Sequence, residues 1–157
     1  MQRIYYCLFV AFFLGCSPQQ SLSESELEIL KAEVLQATIA RNSAVNAADV
    51  DLIFSLYSQA PGVIEAGGGY YDPITNATLE GLKEYYDGVE NLKIDYGTPT
   101  IKILGPESAM VFLDGTWTST VKESQEETGG PFIMTLIWIK EDGMWKVFHR
   151  HESTPAE

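Results

Sequence analysis

The chain has 157 residues and is 45% hydrophobic and 11% aromatic, enough for one domain whose core buries roughly 68–70% of the unfolded surface. Its 10 Lys+Arg against 22 Asp+Glu give a formal charge of −12, and no cluster of cations stands out, so nucleic acid is not an expected partner. Its two cysteines, Cys7 and Cys16, both lie near the N-terminus, which excludes a disulfide framework and a Cys/His metal cluster in the domain.

In chain order, Arg3 gives a short positive start, residues 4–14 form an apolar run, and Phe13-Leu-Gly-Cys16 closes it. The run has the length of a signal-peptide core and is shorter than the about 20 residues a spanning helix needs. The ending resembles a bacterial lipobox. Residues 1–15 are therefore expected to be a lipoprotein signal peptide. Cys16 would be the lipidated N-terminus, and 16–24 a Ser/Pro/Gln-rich tether to the cell envelope, facing the periplasm.

The domain is placed at residues 25–153, with 154–157 as a tail. Ser25-Glu-Leu-Glu28 reads as a capping box, with Ser23 and Glu26 as an equally spaced alternative. Leu27, Leu30, Val34, Ala37 and Arg41 then recur on one stripe of an amphipathic helix of roughly five turns. Asp49 is the expected N-cap of a second helix, with Val50, Ile53, Phe54 and Tyr57 on one side, running to the stop at Pro61-Gly62. Residues 63–66 read as a short strand. Gly67-Gly-Gly69 and the following Tyr70-Tyr71-Asp72-Pro73 read as a loop, without the lysine that phosphate cradling would need. Thr78 is the expected cap of a third helix carrying Leu79, Leu82, Tyr86 and Val89 and ending near Asn91.

All that follows reads as strand. One runs from 92 to 104 with a bulge at Gly97 and Pro99, and a second covers 108–122 with Ala109, Val111, Leu113, Gly115 and Trp117 on one face. A polar hairpin at 125–130 leads to 132–140, and Glu141-Asp-Gly143 turns into the last strand. Residues 132–139 are apolar on both faces. The helices cover one, and a second copy of the chain is the simplest cover for the other, so a homodimer is expected. Strands gathered after the helices argue for an α+β fold, a curved antiparallel sheet wrapped over three helices.

In the last strand simple alternation puts Trp145, Val147, His149 and His151 on one face. A face that begins apolar and ends ionisable is what a strand would show if it left a core and entered a cavity, so His149 and His151 are expected to line a pocket. As metal ligands they are poor, standing about 6.6–7 Å apart along the strand with no third ligand; neither metal nor cofactor is expected. Trp145 reads as core. Trp117, sharing its face with small residues, is a candidate cavity wall, and Tyr57 and Glu65 are candidate polar groups inside.

Asn46-Ala-Ala-Asp-Val-Asp-Leu-Ile-Phe-Ser-Leu-Tyr57, Leu79-Glu-Gly-Leu-Lys83 and the closing pattern of Gly143, Trp145, His149, His151 and Ser153 resemble the nuclear transport factor 2-like superfamily. Within it the chain is similar to the SnoaL-like group and to the association domain of calcium/calmodulin-dependent kinases. The resemblance implies a cone-shaped α+β fold enclosing a deep pocket, commonly dimeric through the outer sheet face. It does not fix an activity, because this fold carries many. The acid base of the ketosteroid isomerases matches no position by motif; Glu65, Asp95 and Asp114 are candidates by location alone. Three classes stay open: a module binding a small, largely apolar molecule, an acid/base enzyme, and a dimerisation scaffold.

Overall fold

A computed structural model describes residues 22–155; Cys16 and the expected signal peptide lie outside the described residues. α1 spans Glu24–Asn46. Of the two possible capping boxes, the one at Ser23 forms: the Ser23 amide donates to Glu26 Oε2 at 2.8 Å and its hydroxyl accepts from the Glu26 amide at 3.3 Å. The apolar stripe of α1 faces the sheet, with Leu30, Val34, Thr38, Arg41, Ala44 and Val45 buried. Arg41 belongs to that buried set although it carries a charge.

α2 spans only Val50–Ser55, capped by Asp49, which accepts from the Leu52 amide at 3.0 Å. It stops short of Pro61 because residues 56–58 pair with the last strand instead. The Val147 amide donates to Leu56 O at 2.8 Å, and the Ser58 amide donates to Val147 O at 2.9 Å. β1 (Ile64–Gly67) and β2 (Tyr70–Pro73) form a hairpin through Gly68 and Gly69 at φ 56° and 86°. Those two glycines supply the left-handed conformation a two-residue turn requires, so the expected glycine loop is a tight turn and the tyrosines after it form an edge strand. α3 spans Asn76–Gly88; its cap is Thr75, whose amide donates to Thr78 Oγ1 at 3.0 Å, so Thr78 lies inside the first turn.

β3 (Val89–Tyr96) and β4 (Thr100–Gly105) both pair antiparallel with β5 (Ser108–Val121), β3 along its second half and β4 along its first. The break between them sits at Gly97, whose amide donates to Asp114 O at 2.8 Å and where a Cβ would lie 2.4 Å from Asp114 Oδ1. β6 (Glu127–Glu141) and β7 (Met144–Ser153) complete the sheet, joined by Asp142-Gly143 at φ 50° and 79°. The strand order is β2-β1-β7-β6-β5-β3, with β4 also on β5. Every pairing between these strands is antiparallel except β1 on β7, which is parallel, as is the single bridge of Tyr57 with Val147.

The result is a curved, unclosed sheet over three helices, the α+β cone expected from the order of elements. Its concave face carries Ala109, Val111, Leu113, Leu136, Trp138 and Val147, all at 0% exposure, packed against Val34 and Leu30 of α1. Trp145 joins this core, and its indole donates to Glu33 Oε2 at 2.9 Å. On the convex face of the same strands Phe112 and Ile133 are 42% and 48% exposed.

Candidate functional site

Between the helices and the open end of the concave face lies a cavity of about 450 Å³. Three features shape it. Helix α3 lies along one side of it and buries none of its residues fully. Gly115 of β5 has no side chain, and a Cβ there would meet Asp95 O at 2.5 Å and the Phe132 ring at 2.7 Å. Phe132 occupies that space edge-on to Tyr96, centroids 5.7 Å apart.

The wall is mostly aromatic and aliphatic. Tyr57, Tyr85, Tyr86, Tyr96, Trp117 and Phe132 face it, with Val45, Ile53, Leu82, Ile94 and Met134 between them. The charged members are Arg41 from α1, Glu65 from β1, and Arg150 and Glu152 from β7. Of the expected pocket residues, Tyr57, Glu65 and Trp117 stand in the wall. Asp95 and Asp114 do not line it; both are exposed, and Asp95 is held by Lys93 at 2.8 Å.

His149 and His151 are not in the wall either, which corrects the expectation drawn from simple alternation. β7 carries a bulge: Val147 faces Trp138 of β6, yet His149 faces the adjacent residue, Ile137, so Phe148 is an extra residue. Beyond a bulge the alternation changes phase. Arg150 and Glu152 therefore lie opposite buried Leu136 and Met134, while His149 and His151 lie opposite Ile137 and Thr135 on the convex face. The cause is a change of partner. Val147 bonds to residues 56–58 on its outer side, and from His149 onward β7 bonds to β1.

The same pairing sets Glu65 beside Arg150. Arg150 forms ion pairs with both Glu65 and Glu152. The opposite wall is built differently. The guanidinium of Arg41 is 3% exposed and donates from Nη1 to Asn42 Oδ1 at 3.1 Å and to the Tyr96 hydroxyl at 3.4 Å, while Nε has no partner. Burial, the largest influence on Arg41, lowers its pKa, but the neighbouring Tyr57 and Tyr96 outweigh it and the net shift is upward. Burial also raises the phenol pKa of Tyr96, with Arg41 pulling the other way, and pushes that of Tyr86 up to about 12. At neutral pH these groups are hydrogen-bond donors in an apolar setting.

Sequence reasoning missed Arg41, Arg150, Glu152 and Tyr96 as wall residues. One signal was present: Arg41 falls on the apolar stripe of α1, where a charge needs a reason. Arg150 and Glu152 gave none, because a single-residue bulge leaves no mark in the alternation itself.

A sheet bent into a cone around helices, with a cavity at its open end, defines the nuclear transport factor 2-like fold. The SnoaL-like domain family matches residues 34–157, most of the chain, and the protein belongs to that family. A nuclear transport factor 2-like protein of unknown function from Shewanella oneidensis MR-1 is 24% identical, covering 79% of this chain and 98% of that one, with a TM-score of 0.61. A ketosteroid isomerase-like protein from Erwinia carotovora atroseptica SCRI1043 is 19% identical over 80% and 96%, TM-score 0.70. A nuclear transport factor 2-like superfamily protein from Salmonella enterica serovar Typhimurium is 16% identical over 83% and 94%, TM-score 0.74. At these identities the likeness is one of fold. No curated protein matches the sequence.

Proposed function

We propose that the protein is a lipoprotein of the bacterial cell envelope whose SnoaL-like domain binds a small, largely apolar molecule in the cone cavity. The carrying observation is the cavity itself: about 450 Å³ walled by aromatic and aliphatic side chains with four charged groups among them. A volume of this order with few polar groups suits a small-molecule site. Binding is preferred to acid/base catalysis because Glu65 and Glu152, the two carboxylates of the wall, are both held in ion pairs by Arg150, and among the described residues no carboxylate or imidazole of the wall stands beside a second proton donor as an acid/base pair would. A pure scaffold would have no need to keep the hollow open. Nile red, a neutral apolar fluorophore, tests this reading. It should bind with enhanced emission, and Leu82→Trp, which fills the cavity from half-buried α3, should weaken it about tenfold, roughly 1.4 kcal/mol. Equal binding by both proteins would refute the cavity as the site.

The anchor is proposed from the lipobox-like ending at Cys16 alone. Metabolic labelling with palmitate should tag the wild type and not Cys16→Ser; equal labelling ends that part of the reading. A homodimer through the convex sheet face is proposed with it, on the exposure of Phe112 and Ile133.

A further inference from the structure

Resting on the binding cavity proposed above, we infer that its ligand is an organic acid, an aromatic or alicyclic body bearing a carboxylate that meets the guanidinium of Arg41. Arginine stays protonated inside a protein and offers five N–H donors in a flat fork. Arg41 is 3% exposed, yet among the described residues no carboxylate pairs with it. Its contacts are neutral oxygens, Asn42 and, at 3.4 Å, Tyr96; its Nε has no partner among the described residues, and neither has that of Arg150, so it is the missing carboxylate that sets Arg41 apart.

A cation is among the costliest groups to bury unpaired. The other arginine of the wall shows what this chain does when an arginine is to be neutralised from within: Arg150 has two carboxylates of its own. Arg41 has none, and it stands in the cavity wall. The missing countercharge is supplied by whatever enters. A carboxylate matches the fork in geometry and charge. The phenols of Tyr57 and Tyr96 flank the same guanidinium and can donate to the second carboxylate oxygen, while Trp117 and Phe132 offer apolar surface to a ring.

The test is competition against Nile red on the full chain with matched acid and amide pairs of equal shape, 2-naphthoate with 2-naphthamide and cyclohexanecarboxylate with its amide. In the wild type the acids should displace the dye at concentrations about tenfold or more below those of the amides, the value of a charge-assisted hydrogen bond. Arg41→Gln should bring each pair to within about twofold without weakening the amide. Arg41→Met, neutral and of similar length, should abolish the order of acid before amide in the same way; it decides the matter if Arg41→Gln does not fold. Acids and amides of equal potency in the wild type overturn this inference and leave the cavity reading standing, as does a preference that survives in Arg41→Gln. Dye binding that no acid displaces also overturns it. Failure of Nile red itself to bind removes the cavity reading and this inference with it.

Discussion

Arg41 and Tyr86 show how strongly burial reshapes single side chains in this cone. Tyr86 shares the wall with Arg41, and burial lifts its phenol from 10.0 to about 12. In the unfolded chain the group ionises near its ordinary value, so between those limits only the unfolded state has released the proton. The stabilising contribution is whole below pH 10.0 and is lost as the pH rises toward about 12. Urea denaturation from pH 9 to 12 should show the wild type losing stability more steeply than Tyr86→Phe. Parallel slopes would mean the phenol is not held neutral by the fold.

The strands show what one backbone can do with two faces. On β6 the concave residues Phe132, Met134, Leu136 and Trp138 are buried, while Ile133 is 48% exposed. Leu136→Ala should cost about 2–5 kcal/mol through lost burial and the cavity left behind. Ile133→Thr should stay within about 0.5 kcal/mol in the monomer. Chemical denaturation of both variants reads the difference directly, and comparable losses would mean the two faces are not distinct. The two faces of β5 were legible in the sequence as separate sets of alternating residues, but β6 is apolar on both faces over residues 132–139, so which of its faces is the core was decided by packing against α1. β7 was not legible, because its alternation is interrupted at Phe148, where its outer partner changes from residues 56–58 to β1. α2 was overextended for a related reason: the helical pattern of Ile53 and Tyr57 continues, but the backbone of 56–58 is taken by Val147.

At the scale of the molecule, the cone has an inner surface that is filled or lined and an outer one that is open. Phe112 and Ile133 lie on that outer surface within the longest strands. Under the homodimer proposal the chain sediments at twice its own mass at micromolar concentration, and Phe112→Glu or Ile133→Glu makes it a monomer. A wild type that sediments at the mass of one chain would refute the dimer. The apolar periodicity and the succession of helices followed by long strands determined the α+β class, the apolar stripe of α1 and Trp145 in the core. Local propensity and period two need no knowledge of distant partners. Which β7 residues face the cavity, and that Arg41 is buried there with no carboxylate partner among the described residues, was decided only by tertiary pairing. A bulge and an ion pair join residues far apart in the chain, and neither is encoded in the spacing of their immediate neighbours.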